Sequence, residues 1–175
     1  IFQGVLIVVM GVAGLLWARW DKRYTQRALM LAAMVGMALG AALVFFAGQV
    51  PGVPPLVQGI VLMLPYAVTL GGYFIISYAL MGNVVDYDQM LTGTRREAIY
   101  YGTFSFANGL GISVGSLILP LLLERFGYTS ANPLGVRVAF LVIGAACLVG
   151  ALIFRSYRLG DTPAVTRRNL DLPQA

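Results

Sequence analysis

Charged residues fall in clusters along this chain, and the gaps between clusters have the length of a lipid bilayer. Five stretches contain no Asp, Glu, Lys or Arg: Ile1–Ala18, Ala28–Gly48, Leu56–Val85, Ala98–Leu123 and Val138–Phe154. A helix rising about 1.5 Å per residue needs about 20 apolar residues to cross a hydrocarbon core of roughly 30 Å. Each stretch therefore predicts one spanning helix. The third is longer than a crossing requires, which predicts a tilt, a bend at Pro65, or emergence from the bilayer at one end. The expected fold class is all-α: a polytopic helical membrane protein with five transmembrane helices, in a bundle over residues 1–160 followed by a polar cytoplasmic tail over 161–175.

Local signals predict where these helices start and stop. Thr94 and Glu97 have capping-box spacing and open the fourth helix. Asn132-Pro133 supplies an N-cap and a first-turn proline for the fifth. Gly160 followed by Pro163 is the expected stop for that helix. Gly48, Pro51, Pro54 and Pro55 make the link between the second and third helices a tight turn. Gly36 and Gly40 in the second helix, and Ala146 and Gly150 in the fifth, have the spacing that lets backbones approach closely, either within the chain or in a dimer.

Composition excludes most other classes. Apolar residues make up 59% of the 175 residues and charged residues only 11%, against about 25% in a soluble domain. On that ground a soluble enzyme, a disordered tail, a coiled coil and a disulfide scaffold are not expected. Twelve basic residues face seven acidic ones, and ten of the twelve lie on one side of the predicted membrane. These are Arg19, Lys22, Arg23, Arg27, Arg95, Arg96, Arg155, Arg158, Arg167 and Arg168; only Arg125 and Arg137 lie opposite. This asymmetry predicts an inner or plasma membrane protein with a cytoplasmic C-terminus and lipid as its immediate partner. The scattered arginines form no patterned patch for nucleic acid. The chain begins at Ile1, already inside an apolar run, which predicts a piece of a longer polypeptide lacking its first helix.

Two of the predicted spans are wetter than the others. Gln58, Tyr66, Thr69, Tyr73 and Ser77 fall on one face of the third. Tyr101, Ser105, Asn108 and Ser116 do so on the fourth, with Gly109 alongside. Hydroxyls bonding back to their own helix, and Asn108 joining two helices, would account for some of these. Two whole polar faces on adjacent spans predict a shared aqueous cavity, lined by Tyr66, Thr69, Tyr73, Ser77, Tyr101, Ser105, Asn108 and Gly109. Tyrosine offers such a cavity a flat stacking face and a hydroxyl for a polyhydroxylated ligand. No acid or base lies inside any span, so a proton or sodium relay must lie elsewhere. The absence of histidine and the single cysteine leave metal and nucleotide chemistry without a foothold, and an enzyme is not expected.

The hinge between the third and fourth spans carries its charges against the helix dipoles. Asp86 and Asp88 stand at a helix C-terminus, and Arg95 and Arg96, followed by Glu97, at a helix N-terminus. Pairing of these acids with these bases would offset both conflicts, and a pair that forms in one conformation and breaks in another is a gate. A cytoplasmic gate at Asp86, Asp88, Arg95, Arg96 and Glu97 is the expectation.

The same hinge carries a resemblance. Gly82-Asn83-Val84-Val85-Asp86-Tyr87-Asp88, Thr92-Gly93-Thr94-Arg95-Arg96-Glu97 and Tyr100-Tyr101-Gly102-Thr103-Phe104-Ser105-Phe106 closely resemble the junction of helices ten and eleven in the glycoside–pentoside–hexuronide:cation symporters of the major facilitator superfamily. The resemblance implies that the five spans are helices eight to twelve of a twelve-helix transporter. It implies alternating access for a sugar or related solute moved with Na⁺ or H⁺. It places the cation-binding acids in an N-terminal helical bundle of the same polypeptide. Many members carry a lysine at the position of Gly109, beside Asn108, so an uncharged solute contact, or a solute other than a typical glycoside, is implied here. A superfamily transporter of lipid-like or other organic solutes, and a non-transporting five-span scaffold, are the alternatives.

Overall fold

The five apolar runs form five helices: α1 (Phe2–Trp20), α2 (Gln26–Val44), α3 (Pro55–Thr92), α4 (Glu97–Phe126) and α5 (Leu134–Phe154). The structure, a computed structural model, describes residues 2–49, 51–129, 133–160 and 165–166, and these contain no strand. Helices α2 to α5 are long and apolar enough to cross a membrane by length and composition, while the apolar helix Gly4–Trp20 is shorter. Of the tail over 161–175, all but Val165 and Thr166 lies outside the described residues; Thr166 Oγ1 accepts from the Gly160 amide at 2.8 Å.

Helix α3 contains 38 residues, a length of about 57 Å. It runs on through Asp86 and Asp88, because charge ends the apolar span without ending the helix. The stop comes at Gly93, whose φ of 70° is left-handed and whose amide donates to the Gln89 carbonyl at 2.9 Å. That conformation suits glycine in the position after a helix. At its start, Pro54 and Pro55 occupy the cap and the first turn, where a missing N–H costs nothing. Pro65 lies inside the helix.

The link between α2 and α3 is longer than the expected tight turn, and its described residues include Gly48 and Gly52 at φ 78° and 84°. It is fastened by Gln58, which accepts from the Gly48 amide at 2.7 Å and donates to the Val53 carbonyl at 2.8 Å. Three expected helix ends are corrected. The residue before α4 is Arg96, without a side-chain cap; Glu97 turns to Arg95 instead of the backbone, and the Thr94 hydroxyl sits 3.2 Å from that of Thr92. A guanidinium outcompetes a neutral amide for a carboxylate. Pro133 precedes α5 rather than opening it, and Asn132 lies outside the described residues. Helix α5 ends at Phe154, ahead of Gly160, and Pro163 again lies outside. Phe154 stacks on Tyr157 with ring centroids 4.8 Å apart, and both pack against the core, so the helix ends where the apolar run ends.

Helix α3 is the spine, with α1 and α2 against it, α5 against α2, and α4 against α5. Small residues set these approaches. A methyl at Gly40 would lie 2.7 Å from the Tyr66 amide nitrogen, and one at Gly71 would lie 2.5 Å from the Met10 carbonyl oxygen. The glycine pair of α2 thus serves packing within the chain. A buried cluster of Ala13, Trp17, Leu29, Met30, Ala33, Ile76 and Leu80 joins α1, α2 and α3, with the Trp17 indole N–H donating to the Val68 carbonyl at 3.0 Å. Helix α4 has no buried residue among those described.

Candidate functional site

The long α3, the glycine stop and the start of α4 bring the hinge charges together. The Arg96 guanidinium donates twice to Asp88, from Nε at 3.0 Å and from Nη2 at 2.6 Å. The Tyr100 hydroxyl, one turn into α4, donates to the same carboxylate. Asp88 is only 8% exposed, so these donors replace the water it has lost. The second acid is held more loosely: Arg95 Nη1 lies 3.8 Å from Asp86, with both side chains more than half exposed. Arg95 also pairs with Glu97 and donates to the Gln89 side chain at 3.3 Å. The five hinge residues therefore fall into two groups, Arg96 with the nearly buried Asp88, and Arg95 with Glu97 and, at longer range, Asp86. Sequence reasoning missed Tyr100, whose signal is its four-residue spacing from Arg96. It also missed Asn83, which donates to Gln26 at 2.7 Å and ties α3 to the start of α2.

The hydrogen bond from Arg96 holds the Asp88 carboxyl below the usual carboxylate range, with burial opposing and the Tyr100 hydrogen bond and the Arg96 charge reinforcing it. A depressed carboxyl pKa contributes stability that is present above the ordinary value and lost as pH falls through the depressed one. The pair is therefore expected to stay intact across neutral and mildly acidic pH. Difference infrared spectroscopy with Asp88→Asn as reference checks this: a protonated carboxyl band from Asp88 near neutral pH would contradict it.

A cleft of about 630 Å³ opens between α2, α3, α4 and α5, and Tyr66, Tyr73, Asn108 and Cys147 line it together with Met34 and Met37 of α2 and Ile112 and Ile143. Tyr66 and Tyr73 are two helical turns apart on α3 and so share a face. The Tyr66 ring stands edge-on to Phe140 of α5 at 6.0 Å, which fixes its plane. Of the eight residues expected to share a cavity, these three meet in it and five do not line it. The Ser77 hydroxyl donates to the Tyr73 carbonyl at 2.6 Å and faces Met30, buried between α3 and α2. Thr69 bonds back to the carbonyls of Pro65 and Tyr66 while its methyl fills the space above Gly36. Tyr101 is half-buried, and Ser105 and Gly109 are exposed, on parts of α4 outside the cleft. Gln58, on the same predicted face, fastens the turn instead. Cys147 and the two α2 methionines were not expected here; their only signal was a small or flexible apolar side chain on a helix face.

Residues 1–161 match a family model described as MFS/sugar transport protein. An uncharacterized symporter of Bacillus subtilis, YnaJ, is 30% identical over 93 residues, which cover 50% of this chain and 19% of YnaJ. An uncharacterized symporter of Synechocystis, sll1374, is 30% identical over 60 residues, covering 34% of this chain and 11% of that protein. The matched segments thus span less than a fifth of either relative (19% and 11%). No solved structure matches the chain at a significant level.

Proposed function

This chain belongs to the MFS/sugar transport protein family, and from that premise we propose that it forms the C-terminal portion of a secondary active transporter for a sugar-like solute. The transporter works by alternating access and couples to Na⁺ or H⁺, with an N-terminal helical bundle of the same polypeptide supplying the coupling acids and the other wall of the cavity. It lies in the inner or plasma membrane with its C-terminus cytoplasmic, as the basic residues favour. Its working parts are those of a carrier, in keeping with the family.

The observation that carries this reading is the convergence of Tyr66, Tyr73 and Asn108, from two helices, on one cleft of about 630 Å³. That volume suits a small solute. Tyrosine faces stack against sugar rings, and the tyrosine hydroxyls and Asn108 amide both donate and accept to ring hydroxyls. Asp88, near the cytoplasmic end of the same α3, and Arg96, at the start of α4, close the path in one state and separate in the other.

In the full-length protein, Tyr73→Ala and Asn108→Ala are each expected to weaken solute affinity about fivefold, the effect of one neutral hydrogen bond, with expression retained. Ser105→Ala, outside the cleft, should leave affinity unchanged. Alkylation of Cys147 should slow when solute is bound. Equilibrium binding and thiol labelling check these; unchanged affinity in both alanine variants removes the cleft as the solute site. The apolar wall of Met34, Met37, Ile112 and Ile143 favours one second reading, an amphipathic or lipid-like solute. Competition by free sugars separates the two.

A further inference from the structure

A second concavity lies at the elbow between α1 and α2, away from the solute cleft. It holds about 390 Å³ and is lined by Trp17, Trp20, Tyr24, Ala28, Leu29 and Ala32. Ala28 and Ala32, one turn apart on α2, give it a shallow floor, and the aromatic side chains build its wall. Trp20 packs edge-on to Trp17 at 5.4 Å, yet Trp20 remains 43% exposed and Tyr24 59%. The elbow is well fastened. The Arg23 and Tyr24 amides both donate to the Trp20 carbonyl, at 2.8 and 2.9 Å, and Thr25 Oγ1 accepts from the Ala28 amide at 3.3 Å.

The rim of this groove is cationic. Arg19, Lys22, Arg23 and Arg27, all exposed, fall within nine residues and are opposed there only by Asp21, a local charge of +3 (four minus one). Arg27 also donates to the Arg155 carbonyl beyond α5, which brings a further basic segment to the same end of the bundle. Apolar helices enclosing an aromatic groove place it at the depth where acyl chains meet headgroups, the usual station of tryptophan and tyrosine. Any phospholipid could lay a chain in the groove, but only an anionic one gains from the rim.

We propose that the α1–α2 elbow is a binding site for an anionic phospholipid, with one acyl chain against Trp20, Tyr24 and Ala28 and the headgroup phosphate on Lys22, Arg23 and Arg27. Each cation near an anionic headgroup contributes roughly a fivefold preference, so the three together set the selectivity of the site over a zwitterionic lipid, with Lys22 and Arg23 supplying most of it.

The test uses the full-length protein in phosphatidylcholine nanodiscs doped with either phosphatidylglycerol or phosphatidylcholine carrying brominated acyl chains, which quench tryptophan on contact. The signal of the elbow is the part removed by Trp20→Phe. Brominated phosphatidylglycerol is expected to quench it at a mole fraction roughly tenfold or more below that needed with brominated phosphatidylcholine. Lys22→Gln with Arg23→Gln should abolish most of that difference and leave quenching by phosphatidylcholine unchanged. Raising the ionic strength on the unaltered protein should narrow the difference too, which needs no variant to fold. Equal quenching by the two lipids, or a preference that survives both the double substitution and high salt, overturns the proposal. The readout requires no transport, so it stands or falls apart from the solute reading.

Discussion

Asp88→Arg in the full-length protein is expected to lower net solute uptake into proteoliposomes by at least roughly tenfold while leaving solute affinity within about twofold, as for a step outside the binding site. Asp88 is nearly buried and accepts from Arg96 Nε and Nη2 and from the Tyr100 hydroxyl. Reversal removes the acceptor from all of these donors at once and sets two guanidinium groups against each other. The start of α4 then loses the Asp88–Arg96 tie to α3, keeping only the exposed contacts of Arg95 with Asp86 and Gln89, and the state that depends on the tie is depopulated. Restoring the opposite charges with Asp88→Arg and Arg96→Asp together should recover a substantial part of the uptake. Asp86→Arg should cost far less, because its partner Arg95 lies at 3.8 Å, is exposed, and has Glu97 as an alternative. Uptake unchanged by Asp88→Arg would end the gate reading, and no recovery in the exchanged pair would remove direct pairing as its basis.

Gly40→Ala and Gly71→Ala carry the largest expected effect on stability. In each case the new methyl would meet backbone rather than a flexible side chain: the Tyr66 amide at 2.7 Å and the Met10 carbonyl at 2.5 Å. Backbone inside a packed helix cannot rotate away, so the helices must separate, at a cost of about 1–3 kcal/mol or more. Separating α2 from α3 would also displace Tyr66 from the cleft. Gly82→Ala is the matched control, since nothing lies within 4 Å of its new methyl and alanine favours a helix over glycine by up to about 1 kcal/mol. Thermal unfolding in detergent, followed by size-exclusion fluorescence, should show the first two well below the unaltered protein and the control level with it or above. Unchanged thermal stability in Gly40→Ala and Gly71→Ala would refute the close α2–α3 and α1–α3 approaches.

The number and order of helices were legible because bilayer-length apolar runs leave few alternatives. The ends of the helices were less so. Asp86 marks where α3 stops being apolar, but the backbone continues to Thr92 because neither acid disturbs the helical hydrogen bonds. The polar faces were half legible for a related reason. Spacing places Tyr66, Thr69, Tyr73 and Ser77 on one side of α3, but that side is an arc of about 100°, and α2 covers part of it. Ser77 and Thr69 fall within the covered part, while the longer tyrosine side chains reach the cleft. Helix spacing identifies a face but not its neighbour, so Cys147 and the α2 methionines were invisible until the helices were placed. The hinge charges could be matched as acids and bases from sequence. That Asp88, not Asp86, holds the tight pair depends on how Gly93 turns the chain.

Proline at position 65 has a mechanical consequence. Its ring removes one hydrogen bond from α3, leaving a compliant point near one end of a helix that is otherwise continuous to Thr92. Tyr66 and Tyr73 lie within about 12 Å of that point along the axis, and Asp88 about 35 Å away. A change in bend of about 10° at Pro65 would therefore move the tyrosines by roughly 2 Å at most and swing Asp88 by about 6 Å. Such a displacement exceeds the reach of its ion pair with Arg96. The helix acts as a lever with a short arm in the cleft and a long arm at the hinge.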